Sequence, residues 1–149
     1  MGFALDSPQW SRLQSAAGRV LEKRESSGTR SLSEAEETFF LVWVADGEVS
    51  NGGMHAVCYN STGDFLTSLP NAYRAVGAPK KAALFERLIR AFGENGPSSD
   101  HSKRLEQHER LSEETASAID GLDDEYFALE EEIDELLYVW SKRLPDGGV

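Results

Sequence analysis

The sequence predicts a predominantly helical protein folded as one domain. Apolar residues recur every three or four positions through most of the chain, and capping serines, glycines and prolines stand where the predicted helices begin and end. The 149 residues are enough to bury a single hydrophobic core. Hydrophobic residues make up 40% and charged residues 28%, a balance typical of globular domains.

The first predicted helix begins near Ser7, a candidate N-cap, with Pro8 at its first helical position. It ends near Arg24, before a short polar linker at residues 26–30. Its apolar stripe consists of Trp10, Leu13, Ala17, Val20 and Leu21. This spacing predicts an amphipathic helix with one face in the core.

A second helix is predicted to start at Ser33, because Ser33 and Glu36 have the spacing of a capping box. Its first apolar residues are Phe39, Phe40 and Trp43. Beyond it, the turn signals Asp46-Gly47, Asn51-Gly52 and Thr62-Gly63 alternate with short apolar runs. Such a region fits either a β-hairpin or helices that end and begin at glycine, and periodicity over so few residues does not distinguish the two.

Helical spacing resumes in the second half of the chain. Asp64 to Val76 fits a short helix, and Gly77 and Pro79 mark a break before the next one. That next helix has the stripe Ala82, Phe85, Leu88, Ile89 and Phe92. A loop is predicted at residues 93–99, followed by a polar helix from about Asp100 to Ile119. Few apolar residues anchor this polar helix, so we expect it at the surface.

The charge of the chain is concentrated in its last 44 residues. The net charge is −11, yet residues 1–105 hold 12 acidic and 12 basic side chains. Residues 106–149 hold 14 acidic and 3 basic side chains, so the whole imbalance lies there. A molecule of this charge is repelled by nucleic acids and by anionic lipids, which argues against direct binding of either.

The densest acidic run predicts a helix with a negatively charged outer face. The run interleaves with Tyr126, Leu129, Ile133, Leu136 and Trp140, which recur at helical spacing. Its carboxylates are Asp120, Asp123, Asp124, Glu125, Glu130, Glu131, Glu132, Asp134 and Glu135. Rows of carboxylates along a helix approximate the regular charges of a phosphate backbone. We therefore interpret these nine as candidate partner-binding residues that meet a basic protein surface, with a merely solvated face as the alternative.

Other kinds of site have little support in the sequence. The single cysteine, Cys58, lies in an apolar run and forms no intramolecular disulfide. His55 and Cys58, or His101 and His108, are too few ligands for a zinc site. No nucleophile elbow or phosphate-binding loop is present. We therefore expect no catalytic residues, no cofactor and no metal.

Four segments carry a resemblance to a known family. They are Asn51-Gly52-Gly53-Met54, residues 59–64 with the sequence YNSTGD, residues 77–80 with the sequence GAPK, and residues 122–127 with the sequence LDDEYF. In this order and spacing the chain resembles the bacterial DNA-mimic protein domain family from about Leu32 to Tyr138. The chain has Ala56-Val57 where the family usually has Gln-Tyr, which leaves any site at that pair altered here.

The resemblance implies an all-α fold, which would resolve the ambiguous middle towards helices. The fold predicted is then a compact single-domain bundle of about six to eight helices with an acidic C-terminal helix. In it, Asn51-Gly52-Gly53 is a corner between helices, and Asp64 caps or opens the next helix. The corner residues Asn51, Gly52, Gly53, Tyr59, Asn60, Gly63 and Asp64 are interpreted as structural. The resemblance also implies an acidic homodimer that occupies the DNA-binding face of a transcription repressor.

The predicted domain spans residues 32–144 and packs with the N-terminal helix and linker, residues 1–31, as one unit. Residues 145–149 are predicted to be a flexible tail. No apolar run is long enough to span a membrane, and no secretory signal pattern starts the chain, so a cytoplasmic location is expected.

Three functional hypotheses follow from these observations. The first is a non-enzymatic acidic binding protein, a DNA mimic that occupies the DNA-binding face of a basic transcription regulator or other DNA-binding protein. The second is an immunity or antitoxin-type inhibitor of a basic nuclease, which would use the same electrostatics. The third is an enzyme with a pocket around Asn51, Tyr59, Asn60 and Asp64.

Overall fold

The computed structural model describes residues 5–27 and 32–145. Within these ranges the chain is 79% helical, with seven α-helices and no strand, so the prediction of an all-α fold is confirmed. The helices are α1 Ser7–Ser27, α2 Glu34–Tyr59, α3 Leu69–Val76, α4 Pro79–Arg90, α5 His101–Glu109, α6 Glu113–Ala128 and α7 Ile133–Ser141, with a 3₁₀ helix at Ser61–Ser68 between α2 and α3.

Helix α2 forms the centre of the molecule. It contacts α1, α3, α5, α6, α7 and the 3₁₀ helix, while α4 packs against α3 and α6. Phe39, Val42, Ala45, Met54 and Val57 of α2 are completely buried. A helix that is apolar on most of its circumference must be covered on all sides, and this explains why the other helices surround it. One face of α1 joins the same core through Leu13, Ala16, Ala17 and Val20.

The middle of the chain is helical, not a β-hairpin. Helix α2 continues through the glycines that suggested turns and is kinked only at Gly53, where φ is 80° and ψ is −174°. The corner that the family resemblance implied is therefore a kink between two halves of α2. Residues 61–68 form a 3₁₀ helix before α3, so the helix predicted from Asp64 to Val76 has two parts.

Several predicted helix boundaries are confirmed by hydrogen bonds. Ser33 accepts a hydrogen bond from the Glu36 amide, and the Glu36 side chain accepts one from the Ser33 amide, which completes the capping box. Gly77 ends α3 in the left-handed region with φ of 100°, and α4 begins at Pro79. The N-cap of α1 was predicted one residue too late, because Asp6 accepts from the Gln9 amide while Gln9 accepts from the Asp6 amide.

The prediction of one continuous acidic C-terminal helix is wrong, because the structure has two helices there. The chain leaves α6 at Leu129, which is extended, and re-enters a helix only at Ile133. The acids are therefore divided between α6, the connecting segment 129–132 and α7. Apolar spacing did not reveal this break, because each helix carries its own buried stripe and the two stripes remain three to four residues apart across the connection.

The predicted polar helix from Asp100 to Ile119 is also two elements. Asp100 caps α5 through the Lys103 amide, and Ser112 caps α6 through the Thr115 amide. Helix α6 thus starts within the segment that was expected to be one helix and continues into the acidic run. Residues 28–30 of the predicted linker and 146–149 of the predicted tail lie outside the described residues. No helix in the described part is long and apolar enough to cross a membrane.

Candidate partner-binding face

The nine candidate acids lie on one continuous stretch of α6, the connecting segment 129–132 and α7. We call them together the acidic face. Asp120, Asp123, Asp124 and Glu125 belong to α6, and Asp134 and Glu135 belong to the first turn of α7. Glu130, Glu131 and Glu132 lie in the connecting segment. The face is therefore bent at this segment, and its carboxylates do not continue along one helical row.

Two members of the acidic face cap other helices. Asp123 Oδ1 accepts a hydrogen bond of 2.7 Å from the Met54 amide, directly after the kink in α2. Glu131 accepts bonds of 2.9 Å and 2.6 Å from the Lys80 and Lys81 amides at the start of α4. A carboxylate at a helix N-terminus satisfies free amides and the helix dipole. These two acids therefore connect the acidic face to the core helices.

Two further members are paired with basic side chains. Glu125 forms a 2.7 Å ion pair with Arg87 of α4, and this hydrogen bond lowers the pKa of Glu125. Asp120 lies 3.2 Å from Nε2 of His55 on α2. Both pairs are partly exposed, so each adds little to stability. Their carboxylates still face solvent on one side and remain part of the negative surface.

The remaining acids are directed to solvent or stand without a partner. The side chains of Asp124, Glu130, Glu132 and Asp134 are exposed and make no hydrogen bond or ion pair with any described residue. We call these four the outer acids. Glu135 is half-buried beside α1, and its Oε1 is enclosed without a hydrogen-bond donor among the described side chains and backbone. The outer acids are thus the members free to meet a partner.

A buried tyrosine network lies beneath the outer acids. Tyr126 donates a 2.6 Å hydrogen bond to Asp46 of α2, and the Tyr73 hydroxyl lies 2.8 Å from the Tyr126 hydroxyl. Lys81 is only 7% exposed and its Nζ lies 4.1 Å from the centre of the Tyr126 ring. The sequence indicated Asp46 only as part of a turn signal and did not indicate Lys81 or Tyr73, because the three residues come from different helices.

The network places ionisable groups where water is scarce. Burial raises the pKa of Asp46, against the opposing effects of the Tyr126 hydroxyl and Lys81. Burial lowers the pKa of Lys81, which the surrounding carboxylates oppose. Burial, together with Asp46 and Glu132, raises the pKa of Asp134. The buried cation of Lys81 thus partly offsets the crowding of negative charge on this side of the molecule.

The corner residues form a separate structural site around the kink. Gly53 adopts a positive φ, and a Cβ there would collide with the Asp123 carboxylate. Gly52 faces Ala56, so the small side chain of Ala56 fits this close approach. Val57 is completely buried. In this chain the pair that departs from the family pattern therefore serves packing. Asn51 is exposed beside the kink.

A completely buried arginine holds the second part of the corner. Arg104 of α5 donates to the backbone oxygens of Cys58, Asn60 and Ser98 at 2.8 to 3.0 Å. Its Nη1 also lies 2.9 Å from Oδ1 of Asp64. We call Arg104 with these four partners the arginine hub. Asp64 was expected to cap or open the next helix, but it does neither for α3. Its carboxylate instead neutralises the charge of Arg104.

The hub explains the remaining corner residues. A Cβ on Gly63 would overlap the Arg104 side chain and lie 2.5 Å from the Val57 oxygen, so only glycine fits there. Asn60 binds Glu48 through its side-chain amide, and Tyr59 is 48% exposed. Sequence reasoning missed Arg104, because one arginine in a polar helix carries no signal of its burial.

The geometry gives limited support to catalysis at the corner. A cavity of about 590 Å³ lies between α1, α2 and the 3₁₀ helix, and Asp64 is the only one of the four proposed pocket residues that lines it within the described part. Its other walls include Arg24, Phe40 and Phe65, with the Arg24 guanidinium 4.2 Å from the Phe40 ring centre. Cys58 is buried, and burial raises the pKa of its thiol to about 12, so it is a poor nucleophile. Among the described residues, no group of three or more His, Cys, Asp or Glu side chains is arranged to hold a metal ion.

Comparison with known proteins gives one match. The model of a family described as DMP19-like protein matches residues 30–144. This range contains α2 to α7 and therefore the acidic face, the tyrosine network and the arginine hub. No curated protein and no solved structure matches the chain.

Proposed function

The chain belongs to the DMP19-like protein family (DNA mimic protein 19), and from this premise we propose that it is a non-enzymatic DNA mimic. It occupies the DNA-binding face of a basic DNA-binding protein, with a transcription regulator as the favoured partner. The observation that carries the proposal is the concentration of carboxylates on α6, the connecting segment and α7. We also propose that the protein is cytoplasmic and that it forms a homodimer, as the family resemblance implies.

The four outer acids support this assignment of the face. They are exposed and uncommitted to other side chains, whereas Asp123 and Glu131 are engaged in helix capping. A DNA-binding protein places lysines and arginines against phosphates, and exposed carboxylates offer those side chains the same charge. Association by such charges is fast and weakens as salt rises.

The experiment that tests the proposal uses charge reversal confined to outer acids. The variant carries Asp124→Lys, Glu130→Lys and Glu132→Lys. Glu131 is left intact because its loss would uncap α4 and confuse folding with binding. The matched control carries Glu22→Lys, Glu25→Lys and Glu94→Lys, three exposed acids outside the face, and so has the same net charge.

Each protein is immobilised, loaded with native lysate at low salt and eluted with a salt gradient. We expect a DNA-binding protein to be retained by the unmodified chain and the control, to be lost by the variant, and to be displaced by duplex DNA. Equal retention by the variant, or no retention by the unmodified chain, would refute the acidic face as the binding site. A nuclease toxin in the eluate would favour the immunity hypothesis over the regulator.

A further inference from the structure

Two of the three histidines of the chain, His55 of α2 and His108, meet near the C-terminal end of α5, and the third, His101, is the first residue of that helix. Nδ1 of His55 on α2 lies 2.7 Å from Nε2 of His108 on α5. The Tyr59 ring packs against His108 with its centre 4.5 Å from the imidazole centre. His101 donates from Nε2 to the Tyr59 backbone oxygen at 2.6 Å. The sequence did not indicate the His55–His108 pair, because its members are 53 residues apart.

The partners of His55 determine where its protons lie. Nε2 of His55 faces two acceptors, the Ala116 backbone oxygen at 3.0 Å and the Asp120 carboxylate at 3.2 Å. This nitrogen therefore carries a hydrogen. In the neutral ring, Nδ1 is then an acceptor and receives the hydrogen bond from His108 Nε2.

The pair tolerates one added proton but not two. With one, the added proton enters on His108 Nδ1, and the hydrogen between the rings lies on either His108 Nε2 or His55 Nδ1, so one hydrogen bond persists. With two, N–H groups of both rings oppose each other across 2.7 Å and two positive charges meet. No hydrogen bond can then form.

We propose that the His55–His108 hydrogen bond is a pH-sensitive latch that holds the C-terminal turn of α5 against α2 and opens when both imidazoles are protonated. The inference does not depend on the DNA-mimic proposal. Helix α5 stays in place up to Gln107, because Arg104 binds three backbone oxygens and Gln107 binds the Ser98 amide and the Gly96 oxygen. Opening therefore concerns the turn that carries His108 and leads to α6.

The groups around the latch define its pH window. Charged or titratable groups reach it from each element packed there: Tyr59 from α2, Glu109 from α5 and Asp120 from α6. Burial and the nearby His55 charge lower the pKa of His108 below its ordinary 6.5, against a smaller opposing effect of Glu109. The opened turn therefore binds more protons than the closed one. The closed latch is stable above about pH 6.5 and is lost as the pH falls below it.

The test is amide hydrogen exchange by NMR on the full chain, from about pH 7.5 to about pH 5.5. Protection factors of the amides from His108 to Leu111, which already exclude the intrinsic pH dependence of exchange, are divided by those of α4, which removes changes in the global stability of the fold. Uptake of one proton on opening makes this ratio fall by up to about tenfold per pH unit below the window. His108→Gln keeps a donor for His55 but does not titrate, so its ratio is expected to stay flat. His101→Gln, the matched control, is expected to behave like the unmodified chain.

Two results would overturn the latch. One is a constant ratio in the unmodified chain over the whole range. The other is a fall in His108→Gln as steep as in the unmodified chain. Imidazole ¹⁵N shifts of the unmodified chain give a second readout that needs no variant: coupled two-step titration of His55 and His108 supports the latch, and independent single steps refute it.

Discussion

The arginine hub and the acidic face are both rich in polar residues, yet the protein uses them in opposite ways. In the hub one cation is completely buried and bonded to three backbone oxygens and a carboxylate. On the acidic face most carboxylates reach solvent, and four of the nine have no bond to any described residue. Few other side chains could therefore replace the hub residues, whereas at the positions of the outer acids only the negative charge matters.

The comparison separates residues needed for the fold from residues available for binding. Burial without a replacement partner is costly, so a change in the hub should lower stability. A solvated carboxylate without a hydrogen bond contributes little to stability, so a change at Asp124 or Glu130 should alter partner binding with little effect on stability. Glu132 and Asp134 stand at the N-terminus of α7, where their charges also favour the helix dipole. Asp123 lies on the acidic face, but its hydrogen bond to α2 places it among the residues needed for the fold.

The largest expected effect is at the centre of the hub. Arg104→Met should reduce the free energy of unfolding by about 3–5 kcal/mol, because it leaves three carbonyl oxygens without their donor and the Asp64 carboxylate without its ion-pair partner. Urea denaturation followed by circular dichroism measures it. The control Lys103→Met changes an exposed neighbour on the same helix and should stay within about 0.5 kcal/mol. Similar stabilities for the two variants would contradict the structural role of the hub.

A smaller effect is expected from filling the space beside Arg104. Gly63→Ala should cost about 1–3 kcal/mol, because its Cβ would meet both the Arg104 side chain and the Val57 oxygen. Gly121→Ala is the matched comparison, since that glycine lies within α6 and its Cβ would meet nothing within 4 Å. It should raise stability by about 0.5–1 kcal/mol. Thermal unfolding measures both variants: the melting temperature should fall for Gly63→Ala and rise for Gly121→Ala. A shift of both melting temperatures in the same direction would contradict this explanation.

The smallest expected effect is a difference in stability between variants of two neighbouring acids, Asp123 and Asp124. Asp123→Ala should lower stability by about 1 kcal/mol, because the Met54 amide loses its cap. Asp124→Ala should change stability by less than about 0.5 kcal/mol, because the Asp124 side chain is exposed. Urea denaturation of the pair, compared under identical conditions, measures the difference. If both variants were equally stable, the assignment of Asp123 to the fold would be wrong.

Local signals predicted much of the fold but little of the site's internal bonding. The Ser33–Glu36 capping box and the Gly77–Pro79 break were readable because their groups are close in the chain. The break between α6 and α7 was not, because the apolar spacing continues across it. Arg104 and the His55–His108 pair were not readable either, because the Cys58 and Asn60 oxygens lie 46 and 44 residues from Arg104, and the two histidines are 53 residues apart. The acids were identified by composition, whereas which of them cap helices depends on tertiary packing.

The bond from Glu131 to the start of α4 also bears on the entropy of binding. The connecting segment 129–132 is not helical, and left alone such a segment would sample many conformations. Two backbone amides hold its middle residue, so its neighbours Glu130 and Glu132 extend from an anchored point. Because the backbone is ordered when the chain folds, a partner that binds there loses less conformational freedom on association. Preorganisation of this kind raises affinity without any additional contact.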